Sequence, residues 1–232
     1  LLTGGPKPGF GRLASIGSEV DYHTALYNLL EQSMNYLEGF LGKQPRDFYV
    51  DKDGGDDRAW AVASGEGGMG KNHLFIHSEM GSAINIGSAT LHISEQVFKV
   101  WMEQLPSPVT AYLCGSCTLC VKACPTGALE EGQALKRSVC RSAINQKKGL
   151  LNEQESSLLD DFVYGCDICL IACPYNRENL SEEGLYLATD CLDEISNKTF
   201  NERYGHRSFA YMGRTRIKRN LDFVKKIQEK KK

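Results

Sequence analysis

Nine cysteines stand in a chain of 232 residues, none of them before Cys114 and eight of them between Cys114 and Cys173. The first block, CGSCTLCVKACP, sets Cys114, Cys117, Cys120 and Cys124 ahead of Pro125 in the spacing C-x2-C-x2-C-x3-C-P. That is the bacterial ferredoxin spacing, in which three close thiolates hold three corners of a 4Fe–4S cluster and the fourth ligates the neighbouring cluster. The second block, CDICLIACP, supplies Cys166, Cys169 and Cys173 before Pro174 and is one ligand short, for which Cys140 is the replacement at hand. The spacing therefore predicts one cluster on Cys114, Cys117, Cys120 and Cys173, and another on Cys124, Cys140, Cys166 and Cys169. Cys191 is left over and reads as a small buried hydrophobe. Zinc also uses C-x2-C pairs, but it does not call for a third cysteine or a closing C-P.

The same distribution narrows the class of protein. An odd number of cysteines cannot all pair, and a secreted scaffold spreads its bridges, so a metal site in a reducing, cytoplasmic setting is expected. Apolar runs such as Leu26–Leu30 and Leu74–Ile76 are far too short to span a bilayer, so no membrane partner is expected. The chain opens on Leu1 with no signal-peptide pattern, and an upstream segment is expected to be missing. Two neighbouring clusters make an electron wire that needs an external donor of flavodoxin or ferredoxin type. The 113 residues before Cys114 then need a role of their own, which points to a second redox centre fed by the clusters.

The elements that must position these residues alternate between helix and strand, which predicts an α+β fold. The opening LLTGGPKPGFGR reads as loop. Leu26, Leu29, Leu30, Leu37 and Phe40 recur at helical spacing between Glu19 and Leu41, with Ser18 or Asp21 as cap. DFYV (47–50) reads as a strand running into the turn DKDGGDD, residues 58–64 as helix, HLFIH as strand, and AINIGSATLHI as a strand pair or half of a hairpin. Pro106 and Pro108 mark a boundary. The expected domains are 1–108, 109–180 with the cysteines, and a basic segment 181–232.

In order along the chain stand VDYH (20–23), VDKDG (50–54), GEGGMGKN (65–72), EMGS (79–82), CGSCTLCVKACPTGAL, the isolated Cys140, GCDICLIACPYN and RNLDF. From about Arg12 to Phe223 this ordered set resembles the epoxyqueuosine reductase family. The resemblance implies a nitroreductase-like domain holding base-off cobalamin, followed by a two-cluster ferredoxin-like domain. It implies reduction of the epoxide of epoxyqueuosine in tRNA to the alkene of queuosine, with electrons passing through two 4Fe–4S clusters. It puts the proton donor at Asp51, and the corrinoid against Asp21, Tyr22, His23, Gly65, Gly67, Gly70, Lys71, Asn72, Gly81 and Ser82. No protein histidine is implied as a cobalt ligand, so His23, His73, His77 and His92 read as structural or substrate-contacting. Read without the family, Asp51 is either a carboxylate projecting into a cleft or a turn-capping residue. The chain departs from many relatives at Asp53, Gly54 and Gly55, where they have V-D-x-x-P, and over Gly67, Gly68, Met69, Gly70 and Lys71, where they have G-W-I-G-K and this chain lacks the tryptophan. RSAINQKKG after Cys140 is similar to a shorter subgroup. Against relatives, their first strand and helix and their C-terminal helical repeats are expected to fall outside these 232 residues.

Net charge is −2, yet residues 203–232 hold eleven Lys and Arg against two acids. Arg207, Arg214, Arg216, Lys218 and Arg219 with Tyr204, Phe209 and Tyr211 combine charge and stacking surface suited to a tRNA anticodon loop. A solvated helix accounts for them equally well. Two other functions fit the cysteines alone: a ferredoxin-type carrier without corrinoid, and a reductive dehalogenase-like enzyme acting on a small molecule.

Overall fold

The computed structural model describes residues 7–18, 20–43, 45–51, 56–104, 113–176 and 185–231. The glycine turn 52–55, the proline segment 105–112 and the expected domain boundaries at 108 and 180 lie outside the described residues. In chain order the elements are β1 (Phe10–Leu13), α1 (Ser15–Ser18), α2 (Tyr22–Leu41), β2 (Arg46–Tyr49), α3 (Asp57–Ala63), β3 (Gly67–Met69), β4 (Phe75–His77), β5 (Ser88–Leu91), α4 (Glu95–Gln104), α5 (Leu119–Ala123), α6 (Arg141–Gln146), α7 (Glu153–Ser157), β6 (Phe162–Tyr164), α8 (Ile168–Ile171), β7 (Leu185–Ala188), α9 (Asn197–Tyr204) and α10 (Gly213–Lys230). Short 3-10 helices run over Pro174–Asn176 and Ser208–Met212. The mixed α+β class expected from the sequence is the one observed.

Contacts gather the chain into two compact units, one of Leu1–Asp21, Lys71–His73 and Ser116–Lys232, the other of Tyr22–Gly70 and Leu74–Gly115. The opening residues thus group with the cysteines from Cys117 onward, because β1 is the middle strand of that unit's sheet. It runs parallel to β6 and antiparallel to β7, in the order β6-β1-β7. The opening stretch, read from its Gly and Pro content as loop throughout, holds this strand because its partners lie 150 to 178 residues further on and leave no local signal.

Helix α10 lies against this sheet. Its residues Ile217, Leu221 and Val224 are fully buried with Val163, Phe209, Phe200, Leu13 and Leu192, forming the main core of the unit. Burying each such side chain stabilises by about 1.5–3 kcal/mol. Phe209 is therefore core, and the stacking surface expected of it does not exist; Tyr204 packs on it at 5.6 Å between ring centroids. A smaller core of Ile144, Leu151 and Leu159 sits beneath α6 and α7.

The second unit has two two-stranded sheets, β2 with β5 and β3 with β4, both antiparallel. Only Ser88–Leu91 of AINIGSATLHI is strand, and it pairs with β2 rather than with its own neighbour. Helix α2 follows the expected periodicity, with Leu26 and Leu30 reaching the backbone at Gly87. Of its residues only Met34 is buried, while Leu29 and Phe40 are exposed. Asp56 caps α3, its carboxylate accepting from the N–H groups of Arg58 (3.1 Å) and Ala59 (3.3 Å).

Candidate metal centre and acidic cleft

The cysteines sit where short helices begin and end. Cys124 closes α5 and Cys140 is the N-cap of α6, while Cys120 lies within α5 and Cys169 within α8. Gly165 brings the chain from β6 into Cys166 at φ +64, and a Cβ there would meet that of Ala14 at 2.4 Å, so no other residue fits.

The thiols differ in their electrostatics. Burial pushes Cys169 up to about 12, and the negative charges of Cys166, Cys140, Cys120 and Cys124 raise it further. Burial likewise pushes Cys166 up to about 11, against the amide N–H of Ile168 and the charge of Arg141. Cys124 goes the other way: burial raises it, but the Thr126 hydroxyl at 3.6 Å and the main-chain N–H groups of Thr126, Ala128 and Leu129 turn toward its sulfur and bring it below the usual value. Thiols crowded together in a desolvated place repel one another as thiolates. A positively charged iron core relieves that repulsion, and amides aimed at sulfur stabilise the ligating form. The donor set thus fits a thiolate-bound cluster. Among the described residues, no group of three or more His, Cys, Asp or Glu side chains is arranged around a single metal ion. Cys191 is raised by burial and packs beside the main core, in keeping with a structural role.

In the second unit a cleft of about 530 Å³ is lined by Asp51, Asp56, Asp57, Arg58, Ser82, Asn85 and the apolar Leu74, Phe75, Ile84 and Ile86. Asp51 follows buried Val50 at the end of β2, and its backbone adopts the left-handed region at φ +51. This turns an exposed carboxylate to the cleft, where it accepts a hydrogen bond from the Tyr22 hydroxyl. Tyr22 stacks on His23 with centroids 4.5 Å apart. Ser82, which is buried, shares the cleft, and Gly81 pairs with His77 through two main-chain hydrogen bonds of 2.9 and 3.1 Å.

The other residues singled out in the sequence are placed elsewhere. Gly67 lies in β3 against β4, where a Cβ would stand 2.0 Å from the Ile76 carbonyl oxygen; it is needed for sheet pairing. Gly65 follows α3 at φ +83, and Gly70 donates to the Leu74 carbonyl at 2.8 Å. Asp21 donates its main-chain N–H to the His206 carbonyl (2.9 Å), Lys71 pairs with Glu131 (2.5 Å) and His73 Nε2 meets the Gln133 carbonyl (3.0 Å), all within the cysteine unit. Asn72 is buried there too.

Sequence reading missed a buried amide pair. Asn145 on α6 and Asn220 on α10 are both fully buried and bond the backbone around the second cysteine block. The signal was present: Asn220 occupies a core position in the apolar stripe Ile217, Leu221, Val224, where a polar residue persists only with partners.

Comparison with known proteins bears on the cysteine blocks. Residues 113–176 match the family model described as a 4Fe-4S double cluster binding domain. The class is that of a double-cluster iron–sulfur protein. Over 95% of its length the chain is 33% identical to the epoxyqueuosine reductase of Listeria monocytogenes, and over 86% it is 32% identical to that of Bacillus subtilis. Its fold matches a crystal structure of epoxyqueuosine reductase with an epoxyqueuosine-modified tRNA-Tyr stem loop, at a TM-score of 0.82 and 28% identity over 95% of this chain. Sequence and fold together make the chain a relative of the epoxyqueuosine reductases. It spans 58% and 52% of the two curated relatives and 58% of the crystallised chain.

Proposed function

We propose that the chain carries out the chemistry of an epoxyqueuosine reductase, reducing the epoxide of epoxyqueuosine in tRNA to the alkene of queuosine with electrons passed through two 4Fe–4S clusters. The observation that carries this reading is the joint likeness in sequence and fold over 95% of the chain. One cluster is assigned to Cys114, Cys117, Cys120 and Cys173, the other to Cys124, Cys140, Cys166 and Cys169. The charges of Cys166 and Cys140, the two that act most strongly on Cys169 after burial, are in keeping with the second set; Cys120 and Cys124 also act on it.

Base-off cobalamin is the proposed second cofactor, and it would supply a low-valent cobalt centre able to deliver electrons to the epoxide. The described lining of the cleft holds carboxylates, an arginine, an amide and a hydroxyl, and no histidine. Such groups suit the amide side chains of a corrinoid left without an imidazole from the protein. Asp51 is proposed as the acid that protonates the departing oxygen, with Tyr22 orienting its carboxyl group. Opening the epoxide to alkene and water consumes two electrons and two protons, so each turnover requires that Asp51 be reprotonated.

The donor would be a flavodoxin or ferredoxin in the cytoplasm; no helix among the described residues is long and apolar enough to cross a membrane. The tRNA would meet the outward charges of the C-terminal segment. The test is anaerobic reconstitution with iron, sulfide and cobalamin, followed by visible and EPR spectra and assay on epoxyqueuosine-modified tRNA. A base-off cob(II)alamin signal together with queuosine product is expected. Clusters without corrinoid binding at any concentration would reject the enzyme in favour of an electron carrier.

A further inference from the structure

We infer that Asn220, with its neighbour Arg219, is a positioning residue for the second iron–sulfur cluster, and that the basic helix α10 thereby serves cluster assembly. The inference rests on the cluster assignment under the proposed function. Four ligands from distant parts of the chain must converge on that cluster: Cys124 after α5, Cys140 before α6, and Cys166 and Cys169 around α8. The two blocks are separated by more than forty residues, and Cys140 belongs to neither.

The buried amides supply the missing connection. Asn145 uses both ends of its side chain on one residue, Nδ2 donating to the Gly165 carbonyl at 2.8 Å and Oδ1 accepting from the Gly165 N–H at 3.1 Å. Gly165 immediately precedes Cys166, so the helix opened by Cys140 is fixed to the entry of the second block. Asn220 closes the arrangement from α10: its Nδ2 donates to the Asn145 carbonyl at 2.7 Å and to the Val163 carbonyl at 2.8 Å. The Arg219 guanidinium adds bonds to the carbonyls of Asn145 (3.1 Å), Lys147 (2.9 Å) and Gly149, and reaches Asn220 Oδ1. Both amides are fully buried, and removing Asn220 takes its donor from the Val163 carbonyl and one of two donors from the Asn145 carbonyl, inside the core. The network reaches Gly165, immediately before Cys166, and the helix that Cys140 opens, so its loss should fall on the cluster those two cysteines are assigned to ligate.

The experiment is anaerobic reconstitution of the full chain and of the variants Asn220→Ala, Arg219→Gln and Cys140→Ser, with iron and sulfide analysis, EPR of the dithionite-reduced protein and far-UV circular dichroism. The wild type should hold roughly eight iron atoms per chain. Cys140→Ser defines the pattern for loss of the second cluster. Asn220→Ala should match it, with roughly four iron atoms, one remaining cluster signal and unchanged helix content, while Arg219→Gln should keep both clusters with a shifted signal or midpoint potential for the second. Full iron with an unaltered spectrum in both variants overturns the inference and leaves the cluster assignment standing. Parallel loss of both clusters also overturns it, since the network would then support the fold at large. A wild type that takes up no iron defeats the cluster assignment itself.

Discussion

Asp51 and Gly67 show how differently single residues in the same unit are constrained. Asp51 holds an uncommon left-handed backbone for a residue other than glycine, and the result is a carboxylate presented to a cleft and engaged by Tyr22. Asp51→Asn preserves size and the acceptor for the tyrosine but has no proton to give. Turnover of the reconstituted protein should fall by about 10²–10⁴-fold with clusters and corrinoid binding intact; near-normal rates would move the proton donor elsewhere. Gly67 stood in the sequence as a candidate cofactor contact, yet its neighbour is a main-chain carbonyl that cannot yield. Gly67→Ala should lower stability by about 1–3 kcal/mol in denaturant titration, whatever cofactor is present.

At the scale of elements, what could be read in advance was what depends on local pattern. The periodicity of α2 and the turn-flanked run of β2 gave both elements nearly at their observed limits, whereas the cap of α3 at Asp56 was not singled out. The cysteine spacing prescribes its own geometry, since a cluster demands ligands at fixed intervals; the match over residues 113–176 answers to it. What escaped was long-range. Strand β1 is defined by partners near residues 162 and 188, and the role of α10 by a sheet and a helix far up the chain. Its arginines, which read as a phosphate-binding array, are largely turned to carbonyls: Arg214 to Leu192 at 2.8 Å, Arg216 to Met212 at 2.6 Å, Arg219 to the α6 region. Leu221→Ala on the buried stripe should cost about 2–5 kcal/mol, and Asp56→Ala at the cap of α3 about 1 kcal/mol. Similar losses at the two sites would mean that α10 is not packed as deeply as its burial indicates.

For the molecule as a whole, net charge near neutrality conceals an acidic body and a basic end, and the structure sorts that basic end into two sets. The inward arginines serve the fold. Lys225 and Lys226 are exposed on α10, Lys225 near Asp193 and Lys226 with its ammonium 5.7 Å from the centroid of the Phe223 ring, and both can meet a polyanion. Lys218 is occupied by Asp193 at 2.9 Å and Asp222 at 2.8 Å, which hold its ammonium group above the usual value. If the substrate is a tRNA, these exposed lysines are among the side chains of the segment placed to neutralise phosphates, and each neutralised phosphate contributes to the salt dependence of binding. Lys225→Glu with Lys226→Glu should therefore weaken binding of an anticodon stem loop and reduce the slope of log affinity against log salt by about 1.4–1.8. Iron content and cluster spectra should stay unchanged, because neither side chain enters the network around Asn220. An unaltered affinity and slope would place the RNA on another surface and leave α10 with its structural role alone.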